Sequence, residues 1–339
     1  MARVTLKTIA IKTGYSITTV SRALAGYSDV SPATREKIVA VAEELGYYPN
    51  LTARQLQKQR TDTVGIILPT FGPRFADPYF SEIIAGIGDE LAQQGYDLLI
   101  STCPPGPGEL AAYRHKVEGG RVDGLIVIRT RRQDQRIAYL AQTSFPFVAF
   151  GRTDLDLDFP YIDEDGEAGS YELTRHLISL GHQRIGYISA PPDLMFAHFR
   201  LQGYRHALTD AKLPYDEQVV VYGDLTRRGG AQVARRLLSL TPRPTALIAA
   251  NDLMALGAIA VAREAGLEIG RDLSIAGFDD IPPAEITSLT TLRQPIYEIG
   301  RRLSQMICAL IRGQTLEQSH VLLKPKLLVR ASSGPPLHT

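Results

Sequence analysis

Cysteine is nearly missing from this chain. Of 339 residues only Cys103 and Cys308 are cysteines, and they stand far apart. That leaves no disulfide framework and no cysteine-rich metal cluster, so a reducing, cytoplasmic setting is expected. Both thiols read as small buried hydrophobes. Missing too is any apolar run near the ~20 residues that a membrane-crossing helix needs. The opening MARVTLKTIAIKTGYS lacks the apolar core of a secretion signal. No G-x-S-x-G, no phosphate-binding P-loop and no G-x-G-x-x-G follows a strand. The seven histidines are scattered, and His182, in a turn after a helix, reads as a cap or local structural group. An enzyme is therefore not expected, and no cofactor or metal site is expected.

Charge of one sign is also missing overall, the net value being +1. Its distribution is uneven. Residues 1–60 hold nine Lys/Arg against four acids, a balance of +5, and the rest of the chain stands at −4. A basic end on a mildly acidic body suits a protein that meets phosphate at one end, although short basic ends are common.

That basic end reads as three short helices. Leu6, Ile9 and Ala10 share one face of a first helix over 5–13, and Gly14 breaks it. Ser16 caps a second, 17–25, with Val20, Ala23 and Leu24 inward. Ser31-Pro32 opens a third, carrying Ile38, Val41, Ala42 and Leu45, which Gly46 stops. The stretch LTARQLQKQ after Pro49-Asn50 is helical in pattern but too polar to be stable alone.

From Val64 the texture changes. Short apolar runs (VGIILP, YDLLIS, GLIVI, PFVAF, RIGYIS, QVVVY, TALIAA, LSIAGF) alternate with helical segments at 78–94, 109–119, 166–180, 197–211, 227–240, 252–265 and 295–312. Such alternation predicts α/β lobes with parallel sheets covered by helices on both faces. Eight units are too many for one compact sheet, so two lobes are expected. The tail ASSGPPLHT is short and polar and is expected to be loose.

Two helices meeting at Gly14, with small Ala10 where they cross, make a helix-turn-helix or an ordinary core hairpin. On the second helix Ile17, Thr18, Ser21 and Arg22 stay exposed, groups suited to base edges and phosphates, so the spacing favours DNA binding. In the larger region Arg200, Asn251 and Asp279 fall near the carboxyl ends of strands, where open α/β sheets bind ligands. A donor fork, an amide and a carboxylate suit a hydroxyl-rich ligand. Each has a structural alternative: a surface ion pair for Arg200, a helix cap for Asn251, a strand end for Asp279.

The run from Thr5 to Gln57 resembles the head of the lactose-repressor (LacI/GalR) family. The likeness rests on Ile9-Ala10, Gly14, Thr19-Val20-Ser21-Arg22, Val30-Ser31, Thr34-Arg35, Leu45-Gly46-Tyr47, Pro49-Asn50 and Ala53-Arg54. It continues through Gly181-His182-Gln183-Arg184-Ile185-Gly186, Arg200-Leu201-Gln202-Gly203-Tyr204, Asn251-Asp252, Gly277-Phe278-Asp279-Asp280 and Leu328-Val329-Arg330. Thr8, where an acidic residue is common, and Tyr15, where Val is usual, depart from the pattern.

This resemblance implies an all-α helix-turn-helix head (1–49), a hinge helix and linker (50–61) and a two-lobed, periplasmic-binding-protein-like sensor (62–339). Chain crossings between the lobes are expected near 161–163 and 290–294. It implies a repressor acting as a homodimer on near-palindromic double-stranded DNA, away from any membrane. Its operator affinity would be switched by a sugar or sugar derivative between the lobes, although a co-repressor arrangement is open. The DNA-contacting set it implies is Thr5, Ser16, Ile17, Thr18, Thr19, Ser21, Arg22, Ser31, Thr34, Asn50, Ala53, Arg54 and Leu56. For the effector it adds Tyr79 and Phe80, and by position Asp77, Phe196, Leu225 and Gln294, to Arg200, Asn251 and Asp279. No leucine-rich heptad follows Arg330, so a dimer rather than a tetramer is expected. The segments PPDLMFAHFRLQGYRHAL and GRTDLDLDFPYIDEDGEAGS look like those of regulators of α-glucoside or other oligosaccharide uptake. A solute-binding module of periplasmic type is the rival reading, which residues 1–60 oppose.

Leu56 matches the family's wedge residue, implied to enter the central minor-groove step and kink the duplex. Leu56→Ala is therefore expected to weaken operator binding and reduce bending. A circular-permutation gel shift measures both, and unchanged bending refutes the wedge.

Overall fold

The computed structural model describes residues 4–47, 60–70 and 77–337. The chain divides into two units, Met1–Arg60 and Thr61–Thr339.

In the first unit, caps set the helices. Thr5 forms a reciprocal capping box with Thr8 at the start of α1 (Leu6–Thr13), and Gly14, at φ 77°, closes it. Ser16 accepts the Thr19 amide ahead of α2 (Ile17–Leu24). Ser31 accepts the Thr34 amide ahead of α3 (Pro32–Glu44), whose proline sits in the first turn. Ile9, Val20, Ala23, Val30, Ile38 and Ala42 meet between the helices. Ile9, Val20 and Ile38 are fully buried, each contributing about 1.5–3 kcal/mol in removing apolar surface from water.

The second unit holds two parallel sheets. The first has the order β11-β5-β4-β3-β1-β2. Its strands are β1 (Thr63–Pro69), β2 (Asp97–Cys103), β3 (Gly124–Val127), β4 (Phe147–Phe150), β5 (Tyr161–Glu164) and β11 (His320–Leu323). The second, ordered β7-β6-β8-β9, consists of β6 (Ile185–Ser189), β7 (Val220–Tyr222), β8 (Ala246–Ala249) and β9 (Ser274–Ala276). Alternation along the strands fills both faces. Val64, Ile66 and Leu68 of β1 join one core with Ile126 and Ile128, while Ile67 joins Leu125 and Val127 in the other.

Helices α4 (Pro78–Gln94), α5 (Gly108–Glu118) and α6 (Gln135–Gln142) belong to the first lobe. In the second lobe lie α7 (Gly166–Ser179), α8 (Met195–Asp210), α9 (Arg227–Leu238), α10 (Asp252–Glu264) and the short α11 (Pro282–Ile286). Helix α12 (Ile296–Ile311) returns to the first lobe and packs on α4. The two approach so closely that a Cβ on Gly86 would stand 2.0 Å from the Tyr297 carbonyl oxygen. Antiparallel β10 (Thr291–Arg293) and β12 (Lys326–Leu328) form a two-stranded ribbon that touches α7.

Residues 161–163 still belong to the first sheet, so the chain crosses to the second lobe only after Glu164. It crosses back between β10 and α12, and a third time between β11 and β12. The third crossing was not expected, because HVLL and KLL are too short and mixed to stand out as strands. QRIAYLAQ, now α6, was missed for similar brevity; Asp134 starts it by accepting the amides of Arg136 and Ile137.

The tail corrects another expectation. Through Gly334 it is not loose: it runs beside β9. The Ile275 amide donates to the Ser332 carbonyl at 2.8 Å, and the Ser332 hydroxyl donates to the Ile275 carbonyl at 2.6 Å. Buried His182 joins it to the lobe, with Nδ1 2.9 Å from Thr245 Oγ1 and Nε2 2.9 Å from the Gly334 carbonyl oxygen. Since that carbonyl can only accept, Nε2 carries the proton and Nδ1 accepts from Thr245. Cys308 is buried, its thiol pushed up to about 11 by desolvation, whereas Cys103 is only half-buried because it closes edge strand β2.

Burial lowers the pKa of His182 below its ordinary 6.5. The folded state then binds fewer protons than the unfolded chain below that value, so His182 stabilises fully above about pH 6.5 and its contribution falls as pH drops. Compared by thermal melting, the advantage of wild type over His182→Gln is expected to be largest above that pH and to shrink below it. An advantage independent of pH refutes the assignment.

Candidate effector cleft and DNA-reading surface

In the sensor unit, side chains that bear chemistry gather at the carboxyl ends of both sheets. Arg129 and Thr130 follow β3, and Gly151 and Arg152 follow β4. Asp163 and Glu164 are the last residues of β5. From the second lobe come Phe196 and Arg200 on α8, Leu225 after β7, Asn251 after β8 and Asp279 after β9. One cleft is lined by Asp77, Tyr79, Phe80, Ile83, Ile128, Arg129, Thr130, Phe150, Gly151, Asp163, Glu164, Phe196, Arg200, Leu225, Asn251 and Asp279. Thus eight of the nine residues anticipated for an effector meet there. Gln294 does not line it. It stands behind, its Nε2 donating to Asp279 Oδ1 at 2.9 Å.

Arg200 is the hub. It is 4% exposed, and its Nε donates to Glu164 Oε1 at 3.0 Å while Nη2 also reaches that oxygen. Nη1 donates to the Ala250 carbonyl, and Nη2 lies 3.8 Å from Asp279 Oδ1. The guanidinium sits between the rings of Phe196 and Phe278, 4.7 and 3.4 Å from their centroids. Arg129 forms a second cationic post, 3.3 Å from Asp77 and over the Phe80 ring at 4.7 Å. Arg152 holds Asp163 at 2.7 Å and covers the Phe199 ring at 3.9 Å. Tyr79 stacks near-parallel on Phe150, ring centroids 6.4 Å apart, giving the cleft an apolar wall.

Burial dominates the electrostatics. It pushes Asp163 up to about 7, reinforced by the charge of neighbouring Glu164 and opposed by Arg152. Asp279 rises well above the carboxylate range for the same reason, with Arg200 opposing. Asp77 is raised by burial against the pull of Arg129. Backbone strain collects here too. Arg129 (φ 50°), Leu225 (φ 68°) and Asp279 (φ 124°) occupy the left-handed side of the map, an arrangement that persists where a site demands it. Asn251 caps α10 by accepting the Met254 amide and also donates to the Leu225 carbonyl, so a helix cap lines the cleft.

Sequence reasoning missed Ile83, Ile128, Arg129, Thr130, Phe150, Gly151, Asp163 and Glu164. Two of these had a usable signal: Arg129 and Gly151 directly follow the apolar runs GLIVI and PFVAF. Asp163 and Glu164 had none, because YIDE does not read as a buried strand.

In the head, Ile17 is 48% exposed, and Thr18 and Arg22 are also exposed on α2, with Thr19 and Ser21 half-buried. Thr5, Ser16 and Ser31 are engaged as caps, and Thr34 accepts the Ser31 hydroxyl. Asn50, Ala53, Arg54 and Leu56 lie outside the described residues. Among the described residues no cluster of side chains suits a metal ion, and no helix is long and apolar enough to cross a membrane.

A capped three-helix head and a two-lobed α/β unit with a polar cleft define a ligand-sensing, DNA-binding regulator. Residues 5–50 match the bacterial regulatory proteins of the lacI family, and residues 174–333 match the periplasmic binding protein-like domain. The HTH-type transcriptional regulator CelR of Thermobifida fusca is 36% identical over 97% of this chain and 98% of its own. The HTH-type transcriptional repressor CytR of Escherichia coli K12 is 33% identical over 97% and 96%. A CelR–cellobiose complex superposes with a TM-score of 0.75 at 35% identity, covering 97% of this chain and all of that one. The lac repressor dimer bound to operator and the anti-inducer ONPF gives 0.86 at 30% identity, covering 98% and 100%. The chain belongs to the LacI family of bacterial transcriptional regulators, and its function is DNA binding in transcription control.

Replacing Arg200 leaves Glu164 and Asp279 buried without their cation, a loss on the order of 3–5 kcal/mol. Arg200→Met should therefore melt well below wild type. The deficit should narrow on acidification, because burial already raises Asp279 and loss of the opposing guanidinium raises it further, so that protonation of Asp279 relieves the lost pairing. A pH-independent deficit refutes the electrostatic account.

Proposed function

We propose that this regulator is a cytoplasmic, non-enzymatic homodimer whose operator affinity is switched by an uncharged sugar or glycoside held between the sensor lobes. One observation carries the ligand class. Among the described residues, four carboxylates (Asp77, Asp163, Glu164 and Asp279) and two cations, Arg129 and Arg200, line the cleft, and both cations are already engaged. An anion entering there brings a further charge into a low-dielectric cleft whose arginines are already paired with Asp77 and Glu164, and those carboxylates repel it. Hydroxyl groups avoid that repulsion and can both donate to Asp279 and Glu164 and accept from Arg200 and Asn251. Tyr79, Phe80, Phe150 and Phe196 supply the apolar faces on which a pyranose ring stacks.

In this reading Arg200, Asn251 and Asp279 orient the ligand, with Asp77 and Arg129 contributing from the first lobe and Gln294 steadying Asp279. The cellobiose found with CelR makes a neutral β-linked disaccharide the first candidate.

A thermal-shift series with cellobiose, maltose, glucose, glucose 6-phosphate and glucuronate tests the class. Ligand at about 100 times its dissociation constant adds about 2.7 kcal/mol of stability. Stabilisation is expected from neutral sugars only and should vanish in Asp279→Asn. Stabilisation by the anionic sugars alone refutes the proposal.

A further inference from the structure

The end of α2 carries a device that neither the DNA-reading surface nor the effector cleft accounts for. The helix stops in a Schellman motif: the Gly26 amide donates to the Ala23 carbonyl at 3.2 Å, and the Tyr27 amide donates to the Arg22 carbonyl at 3.1 Å. Gly26 sits at φ 80°, which other residues reach only with strain. The motif folds the chain back so that the Tyr27 ring lies against the Arg22 side chain, the guanidinium carbon 4.6 Å from the ring centroid. Two residues on, Asp29 Oδ2 lies 2.6 Å from Arg22 Nη2. The segment that delivers both groups is itself anchored. Arg35 Nη2 donates to the Tyr27 carbonyl at 2.6 Å, and Val30 is buried in the head core.

Arginine is a long side chain with much rotamer freedom, which is lost when it is fixed. A stacked ring sets the plane of the guanidinium, and a carboxylate on one of its five donors sets its rotation in that plane. The remaining donors stay open to a second acceptor. An ion pair exposed on both sides contributes little to stability, so stability does not explain it.

We propose that Tyr27 and Asp29 are positioning residues that aim Arg22 as a preoriented fork at a guanine edge, and so set sequence specificity without touching DNA. The proposal rests on the reading that α2 enters the major groove with Arg22 facing bases. Guanine is the base whose paired N7 and O6 acceptors match a bidentate arginine. Asp29 also repels phosphates, so its presence lowers affinity for all DNA while raising discrimination.

The experiment is selection from a random duplex library by the full-length protein, followed by competition binding on the recovered site and on versions with single base changes. Wild type is expected to yield a near-palindromic consensus; failure to yield one overturns the groove-reading premise itself. Arg22→Ala should lose discrimination at one guanine per half-site, by about 10-fold or more. Failure to do so removes Arg22 as a base reader. With those two results in hand, Asp29→Asn and Tyr27→Ala test the proposal. Each should lose roughly threefold or more of the discrimination at that same guanine and leave other positions unchanged. Asp29→Asn should bind non-specific DNA more tightly, and Tyr27→Phe, which keeps the stacked ring, should restore wild-type discrimination. Thermal melting of the variants should match wild type. The proposal is overturned if Asp29→Asn tightens binding to every sequence equally. It is also overturned if discrimination falls at all positions together, the mark of a merely structural role.

Discussion

The contact between Arg200 and Glu164 is the constraint around which the sensor is arranged. Glu164 ends β5 of the first sheet, and Arg200 projects from α8 of the second lobe. A buried ion pair is costly to desolvate, and it persists only when the remaining donors find acceptors. Here the Ala250 carbonyl takes one, Asp279 lies close by, and two phenylalanine rings take the faces of the guanidinium. The oxygen partners Glu164, Ala250 and Asp279 come from the carboxyl ends of three strands, β5, β8 and β9. Satisfying one arginine therefore draws the ends of β5, β8 and β9 to one point, and that point is the floor of the cleft.

The same logic explains where strain and perturbed acidity collect. Loops after parallel strands must turn into helices within a few residues, and Arg129, Leu225 and Asp279 adopt left-handed backbone to aim groups inward. Carboxylates gathered there are desolvated and repel one another, which raises Asp163 and Asp279. On the proposed reading, a neutral hydroxyl-bearing ligand would replace internal hydrogen bonds with its own and add no charge to the cleft.

The head works on a smaller scale by a related rule. Its hydrophobic core is small, so the caps at Thr5, Ser16 and Ser31 and the glycine at position 26 decide where helices begin and end. Those same termini place Arg22, Tyr27 and Asp29 beside one another.

Much of this was legible in the residues. Hydrophobic periodicity, glycine stops and serine caps are local signals, so the three head helices and most strands and sheet-covering helices emerge without tertiary information. Arg200, Asn251 and Asp279 could be placed by their nearness to strand ends, a local signal, whereas Asp77, Tyr79, Phe80, Phe196 and Leu225 came with the family resemblance; all eight reach one cleft. What stayed hidden depends on contacts distant in sequence. Short β5, β11 and β12 are strands only because neighbours pair with them, which is why the third lobe crossing and the acidic pair Asp163-Glu164 were missed. The tail reads as loose in isolation, yet β9, Thr290 and His182 supply partners for its polar groups. Gln294 sits behind the cleft rather than in it, since only packing decides which side of Asp279 it occupies. The sequence by itself determined the element types, the basic head and the family, because those rest on period, composition and motif. Only the tertiary structure decided which charges share a low-dielectric cleft, because that depends on which strand ends are brought together.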